Sequence, residues 1–289
     1  MKKKCLWVVP SFLFTLSISC AVAWGDVLDL SKLTHEDIVF IEMDVNKHEV
    51  YQGEPILLTM RLWRIKYRRI NSGPYRGGVI VNPTTEGFYM QKLEPERYEA
   101  MRGPWTYEVT EARKLLHPMR SGDLRIGQWH WEGIALINRQ SIIAREKIYY
   151  KLDAGPIDIK VKQLPEPAPG FTGAVGEFDV SASLDTESLR LGDPVKFIVT
   201  VRGSGNPDII GAPALPELAW AFLSDLETAV RYSKGTEDGV PQMVKSFTYT
   251  LRPLTDSAAT VPSFDFVYFS PDKRGYLRKP IGPVVINLP

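Results

Sequence analysis

The sequence predicts an all-β fold: two tandem immunoglobulin-like β-sandwich domains that follow an N-terminal signal peptide. Three observations support this prediction: short stretches of alternating apolar and polar residues, turns rich in Gly, Pro and Asp, and a repeat of the pattern 139 residues later. The 289 residues include 22 glycines, 22 prolines, 12 tyrosines, 12 phenylalanines and 7 tryptophans, which favours strands and turns over helices.

Residues 1–25 have the three parts of a secretory signal peptide. A basic start, Lys2–Lys4, precedes an apolar run over residues 6–18, and Ala21-Val22-Ala23 is a small-residue cleavage motif. We therefore predict cleavage before Trp24 and export to the periplasm or to the extracytoplasmic face of the inner membrane.

Both cysteines of the chain, Cys5 and Cys20, lie in this predicted leader. After cleavage the protein has no cysteine, which excludes a disulfide, a thiolate metal site and a cysteine nucleophile. Two alternatives to cleavage before Trp24 stay open. The apolar run can remain as an N-terminal anchor, or Cys20 can carry a lipid, although Ser17 stands where a lipoprotein motif has leucine.

The charge balance does not indicate a nucleic-acid partner. The chain has 35 basic and 34 acidic residues, and 32 basic residues remain without Lys2–Lys4, a net charge of −2. A nucleic-acid-binding domain is expected to be strongly basic or to carry a basic face.

An alternation of period two begins at Val39, which predicts a strand with one apolar face. The apolar residues of this first strand are Val39, Ile41, Met43 and Val45. After the turn Gly53-Glu54-Pro55, a second strand follows with the apolar residues Ile56, Leu58, Met60 and Leu62.

The same pattern returns when 139 is added to each residue number. The first strand then corresponds to Phe178, Val180, Ala182 and Leu184, and the second to Val195, Phe197, Val199 and Val201. The turn corresponds to Gly192-Asp193-Pro194. Alternation can arise by chance, but it rarely also keeps a Gly-acid-Pro turn in register, so we predict an internal duplication.

The two halves also end alike, at smaller offsets. His117-Pro118-Met119 corresponds to Arg252-Pro253-Leu254, and Gly155-Pro156-Ile157 to Gly282-Pro283-Val284. We predict a first domain at 26–163, a semi-rigid proline-rich linker at 164–170 and a second domain at 171–289. Residues 216–232 are the best candidate for a short helix or an irregular edge.

No motif in the sequence indicates catalysis, a metal or a cofactor. The four histidines form no zinc motif, Asp44-Val45-Asn46 lacks the rest of a calcium loop, and no acidic pair has a diagnostic spacing. The glycines of residues 170–176 precede a strand and not the helix that a phosphate site needs. We interpret Gly203-Ser204-Gly205-Asn206 as a loop with positive φ angles. We predict no enzyme activity, no cofactor and no small-molecule substrate.

A cluster of basic residues in the first half is the candidate interaction surface. Its arginines are Arg61, Arg64, Arg68, Arg69 and Arg76, and Lys66 lies among them. Such a cluster can face an acidic protein or membrane headgroups. The alternative, which a charged strand favours, is a solvated strand edge whose charges prevent aggregation.

Two alternative functions follow from other residues. Trp105, Trp129 and Trp131, if exposed, can stack on sugars in a carbohydrate- or peptidoglycan-binding protein. An enzyme with an unrecognised site would need a deep pocket with convergent acids or a metal.

The junction between the halves resembles that of the BatD-type aerotolerance (oxygen tolerance) proteins. The resemblance rests on Leu164-Pro165 and on Phe171-Thr172-Gly173-Ala174-Val175-Gly176-Glu177-Phe178, and it extends through Leu191-Gly192-Asp193-Pro194 to Phe264-Asp265-Phe266. It covers residues 164–289 well and residues 39–163 only in patches. Within this junction, Phe171, Gly173, Gly176 and Phe178 are the candidate residues that set the angle between the domains.

The resemblance implies an envelope-associated protein of immunoglobulin-like modules that binds other proteins and has no established enzymatic activity. The implied partners are membrane-associated BatA- and BatB-like proteins with von Willebrand factor A domains, linked to a MoxR-type AAA ATPase. Members of this family usually continue into a transmembrane helix, so we expect a short form. Its anchor is supplied by another protein or by the uncleaved leader, or the protein is soluble in the periplasm.

Overall fold

The computed structural model describes residues 33–74, 78–138, 146–185, 191–232, 241–255 and 259–286. The predicted signal peptide lies outside these ranges. Within them the chain forms a single short helix, α1 (His35–Ile38), and is otherwise built of strands and turns. The predicted all-β class, a tandem β-sandwich, is confirmed.

The first half contains twelve strands among the described residues. Their bounds are β1 (Val39–Val45), β2 (Glu49–Tyr51), β3 (Ile56–Ile65), β4 (Ile70–Gly73), β5 (Ile80–Val81), β6 (Phe88–Lys92), β7 (Glu96–Arg102), β8 (Trp105–Pro118), β9 (Gly122–Ile126), β10 (Trp129–Ile137), β11 (Glu146–Ala154) and β12 (Ile157–Lys162). They form a sheet in the order β1-β3-β8-β6 with β7 also on β8, a sheet β11-β10-β4 with β5 on β10, and a sheet β2-β12-β9.

The second half contains nine strands among the described residues. Their bounds are β13 (Phe171–Val175), β14 (Phe178–Leu184), β15 (Val195–Gly203), β16 (Ala221–Tyr232), β17 (Met243–Pro253), β18 (Ala259–Val261), β19 (Phe264–Ser270), β20 (Gly275–Ile281) and β21 (Val284–Ile286). They form the sheets β14-β15-β17-β16, β13-β19-β20 and β18-β21.

The two halves share the pairing register of their strands as well as their sequence pattern. Val39 of β1 pairs with Arg64 of β3, and 139 residues later Phe178 of β14 pairs with Gly203 of β15. A one-residue slip in either pair would turn every side chain to the opposite face of the sheet. The duplicated alternation therefore produces the same buried face twice.

The register of the later strands follows the smaller offsets that the sequence predicted. Ile56 pairs with Leu116, and the corresponding pair in the second half is Val195 with Leu251. Likewise β9 pairs with β12 as β18 pairs with β21, and β10 pairs with β11 as β19 pairs with β20. The halves differ mainly at the sheet edge, where β6 and β7 in the first half correspond to the single strand β16 in the second.

Each half encloses an apolar core between facing sheets. In the second half, Phe197, Phe247 and Tyr249 of one sheet pack with Phe266 of the other. In the first half the core includes Ile56, Leu58, Leu116, Ile126 and Ile159. Burial of such side chains stabilises the fold by roughly 1.5–3 kcal/mol each.

Of the two alternatives predicted for residues 216–232, the short helix is wrong and the irregular edge is confirmed. Residues from Ala221 to Tyr232 form strand β16, which pairs with β17 along its whole length. A weak helical propensity is overridden here by the backbone hydrogen bonds that the neighbouring strand offers.

The predicted positive φ angles at Gly203 and Gly205 are also wrong, because neither glycine is among those with positive φ. Glycine is needed at both positions because the ring of Phe178 occupies the space that a side chain would take. A Cβ at Gly203 would lie 2.3 Å from Cδ1 of Phe178, and a Cβ at Gly205 would lie 2.5 Å from its Cζ. The two glycines leave the space in which this ring packs edge-on against Phe266 and Tyr268.

Residues Thr34–Pro289 form one compact unit. The two halves therefore pack as parts of a single body. The boundaries at residues 163, 164, 170 and 171 stay a prediction.

Replacement of Gly205 by Ala tests the space for the Phe178 ring. We expect a loss of about 1–3 kcal/mol in the free energy of unfolding, since the added methyl overpacks the core. Gly211→Ala is the matched control, because its Cβ would lie 3.4 Å from the Thr172 carbonyl oxygen, an ordinary contact. Urea denaturation measures the free energy of unfolding of each variant. Equal values for the two variants would contradict this explanation.

Candidate functional site

The predicted junction glycines are required by both backbone conformation and close packing. Gly173 has a φ of 82°, and a Cβ there would lie 2.5 Å from the carbonyl oxygen of Ile209. Gly176 has a φ of 142°, and its N–H donates to the carbonyl oxygen of Phe269 at 3.0 Å. These glycines allow β13 to approach the loop 206–211 and to pair with β19 in parallel.

The two predicted junction phenylalanines have different roles. Phe171 packs edge-on against Tyr276 with ring centroids 5.0 Å apart, close to the linker. Phe178 is buried in the core of the second half, so it contributes to folding and not to the junction surface.

The linker is held against strand β20. The hydroxyl of Tyr276 donates to the carbonyl oxygen of Pro165 at 2.9 Å, and Arg278 Nη2 donates to that of Pro169 at 3.1 Å. Proline already restricts the linker backbone. These two hydrogen bonds fix its position on the second half.

The two halves contact each other directly through the turn at residues 51–54. The ring of Tyr51 packs edge-on against Phe269 with centroids 4.8 Å apart. A Cβ at Gly53 would lie 3.2 Å from Cγ2 of Val175, and the positive φ of Gly53, 84°, is one that other residues rarely adopt. The Gly-Glu-Pro turn that the sequence pointed to as a repeat marker is therefore also the contact between the halves.

A second contact across the halves joins Tyr89 of β6 to the loop 206–211. Burial, with a hydrogen bond to the carboxylate of Asp208, raises the pKa of Tyr89 to about 12. The phenol therefore stays protonated and donates to Asp208 at neutral pH.

His117 lies beneath the turn at residues 51–54 and is fully buried. Its Nδ1 lies 3.3 Å from the carbonyl oxygen of Gly53, and its Nε2 has no hydrogen-bond partner within the described ranges. Burial lowers the pKa of His117 to about 4. The imidazole is therefore neutral at pH 7, with Nδ1–H donating to Gly53.

Lys245 is a buried residue of this site that the sequence predictions missed. Its Nζ donates to the carbonyl oxygens of Pro207 and Ile210 at 2.6 and 2.7 Å. Burial lowers the pKa of this lysine. From its buried position, Lys245 thus fixes the loop 206–211. This loop places Asp208 and Ile209 at the junction. Its inward position among Met243, Phe247 and Tyr249 was the available signal, since a lysine at a core position needs a polar partner.

The basic cluster is divided between the two faces of β3. Arg61 and Arg64 are three residues apart in a strand and so point to opposite faces. Arg61 forms ion pairs with Glu111 at 2.7 Å and Asp44 at 3.3 Å. Arg64 pairs with Glu108 at 2.8 Å and donates to the Ser72 carbonyl oxygen at 3.1 Å.

Arg68 and Arg69 occupy the tip of the turn at residues 67–70, where the chain passes from β3 to β4. The backbone N–H of Ile70 donates to the Tyr67 carbonyl oxygen at 2.9 Å, which closes this turn. Both arginines are exposed, and neither has an ion pair with another described residue. Lys66 beside them is paired with Glu99.

The turn borders a cleft of about 480 Å³. Its lining includes Arg64, Lys66, Arg68, Asn71 and Glu108. The structure thus brings Arg64 and Arg68 together and places Arg61 on the other face of the strand. Arg76 lies outside the described residues.

The three tryptophans of the carbohydrate-binding hypothesis are buried. Their exposed fractions are 8% for Trp105, 6% for Trp129 and 2% for Trp131. They cannot serve as stacking platforms for a sugar, so this form of the hypothesis is wrong. His130, between two of them, lies on the opposite face of β10 and pairs with Asp153 at 2.8 Å.

Within the described residues, no group of three or more His, Cys, Asp or Glu is placed to hold a metal ion. No helix of the described part is long and apolar enough to cross a membrane.

Comparison with known proteins finds distant structural likenesses. No protein-family model matches the chain, and neither does any curated protein. A type II cohesin dyad from the adaptor ScaA scaffoldin of Acetivibrio cellulolyticus is 11% identical, with 76% of this chain and 86% of that chain covered and a TM-score of 0.20.

Two adhesins also match. The Escherichia coli adhesin FdeC is 13% identical over 86% of this chain and 64% of its own, with a TM-score of 0.17. The Yersinia pseudotuberculosis adhesin InvE is 10% identical over 86% and 59%, with a TM-score of 0.19. The chain spans less than two thirds of either adhesin chain. Such low TM-scores carry no argument about function.

Replacement of Gly173 by Val tests the junction. We expect a loss of about 2–4 kcal/mol in the free energy of unfolding, since strain from positive φ and overpacking against Ile209 add. Gly192→Val is the control: its φ is 85°, but a Cβ there would meet nothing within 4 Å. If the Gly173→Val variant lost partner binding but kept its stability, residues 171–178 would instead be the binding site itself.

The buried His117 predicts a pH dependence of stability. The unfolded chain takes up a proton near pH 6.5 and the folded chain only near pH 4, so stability is fully present above pH 6.5 and falls as the pH drops toward 4. The loss amounts to about 3 kcal/mol at most. Denaturant unfolding from pH 7 to 4 should show a steeper decline in the wild type than in His117→Gln, and parallel curves would contradict the assignment.

Proposed function

We propose that this chain is an exported, non-enzymatic scaffold that binds proteins in the cell envelope, in the manner of the BatD-type aerotolerance proteins. Its proposed partner is a membrane-associated protein with a von Willebrand factor A domain, of the BatA or BatB type. A MoxR-type AAA ATPase is expected to act in the same system, in tolerance of oxygen or another stress.

One observation carries the choice of binding surface: Arg68 and Arg69 are exposed without an ion pair to a described residue, beside a cleft. The preceding basic residues Arg61, Arg64 and Lys66 are each neutralised by a carboxylate of the chain. A guanidinium offers a fork of donors that matches carboxylates in bidentate geometry. An acidic protein surface therefore fits this turn.

The way in which the halves are joined supports a scaffold role. The contacts of Tyr51, Gly53 and Tyr89 with the second half join the half that carries the turn at 67–70 to the rest of one compact unit. A preorganised surface loses less entropy when a partner binds. The resemblance at residues 171–178 supports the choice of partner family.

Charge reversal at the turn tests this proposal. The tagged full chain, as wild type, as Arg68→Glu with Arg69→Glu, and as Arg97→Glu, is expressed in its native envelope and purified. We expect the von Willebrand factor A protein to be recovered with the wild type and with the Arg97→Glu variant. Arg97 is an exposed arginine of β7. Recovery should fall roughly tenfold or more in the double variant, because like charges across an interface repel.

Two results would contradict the proposal. Equal recovery of the membrane protein by all three chains would exclude the turn as its binding surface. Recovery of soluble hydrolase substrates alone, with no membrane protein, would count against the scaffold function as a whole.

A further inference from the structure

Strand β16 is a long sheet edge that is almost entirely exposed. It has 12 residues, and every one after Ala221 is exposed. It is the last strand of the sheet β14-β15-β17-β16, so no described strand pairs with its outer side. Such an edge presents a row of unpaired backbone N–H and C=O groups to any strand that can add to it.

The inner face of β16 is apolar and only partly covered. Leu226, Val230 and Tyr232 lie opposite Tyr249, Lys245 and Met243, which face the core of the second half. Yet these three side chains are 40%, 44% and 44% exposed. Natural edges are protected by proline, by shortness, by inward-pointing charges, by other charged side chains or by bulges. In β16 the charges lie only on the outer face and the bulge only at the start, and the described strand has neither a proline nor an inward charge.

The outer face of β16 carries charges of both signs. Asp225, Glu227 and Arg231 all point to this face, since they alternate with the three apolar residues. The irregularity of the strand lies at its start, between Leu223 and Asp225. The part from Asp225 to Tyr232 is regular and therefore suited to pairing.

We propose that β16 pairs antiparallel with β16 of a second copy of this chain, about a twofold axis at Thr228. This register places Asp225 of each copy opposite Arg231 of the other. It places Leu226 opposite Val230 on the inner face and Thr228 opposite itself. Opposite charges and apolar pairs directly across strands stabilise a sheet.

The neighbouring registers that keep the inner faces together are less favourable. An axis at Glu227 puts two glutamates directly opposite each other, and like charges there destabilise the pair. An axis at Ala229 pairs Glu227 with Arg231 but leaves Asp225 beyond the last residue of the facing strand. Only the axis at Thr228 both pairs every residue from Asp225 to Arg231 and places Arg231 opposite an acidic residue.

Charge swapping tests this pairing, independently of the partner proposed above. Sedimentation of the purified full chain should show a concentration-dependent dimer. Asp225→Arg and Arg231→Asp should each raise the dimer Kd at least tenfold, since each puts like charges opposite one another. The double variant should restore the wild-type dimer Kd. An equimolar mixture of the two single variants should form a mixed dimer, because both cross-strand pairs in that dimer are again opposite in charge.

Arg202→Asp is the control, because it changes an exposed charge on the interior strand β15 of the same sheet and should leave the dimer unchanged. A wild-type chain that stays monomeric up to about 1 mM overturns the proposal. So does rescue of Arg231→Asp by Glu227→Arg in place of Asp225→Arg, which would identify the register with its axis at Ala229.

Discussion

The close approach of Gly53 to Val175 is the contact on which the arrangement of this protein depends. A side chain at Gly53 would meet Val175, and one at Gly173 would meet the backbone of Ile209. Around this contact lie Tyr51 on Phe269, the neutral His117 and the loop held by Lys245. Gly53 lies in the turn before the repeated strand β3, and Val175 is the last residue of β13, just before the repeated strand β14. The glycines allow these two segments to meet.

Much of the fold could be predicted because the duplication leaves two copies of one pattern in the sequence. The alternation from Val39 and from Phe178 indicated the buried faces, and the equivalent turns aligned the registers that the structure shows. Strand β16 could not be predicted in this way, because the irregularity between Leu223 and Asp225 breaks its alternation. The role of Gly203 and Gly205 was invisible as well, since it depends on a ring that reaches them from another strand.

The candidate site was predictable only in part. The glycines at 173 and 176 stand out in the sequence, and their positive φ angles agree with a junction role. The arginine cluster looked continuous, but strand geometry separates Arg61 from Arg64, and ion pairs neutralise both. Which carboxylates come close enough to pair depends on strands distant in sequence, so Arg68 and Arg69 could be distinguished only in the folded chain. The link to von Willebrand factor A partners rests on sequence resemblance and remains a proposal.

Hydrogen exchange tests most directly whether the two halves form one cooperative body. Exchange is followed by mass spectrometry in peptides from β3 and from β15, over increasing denaturant, in the wild type and in Tyr51→Ala. If the contact couples the halves, both peptides exchange with the same opening free energy, and the variant lowers both together. Independent opening of β3 and β15, with β15 unaffected by Tyr51→Ala, would contradict the account.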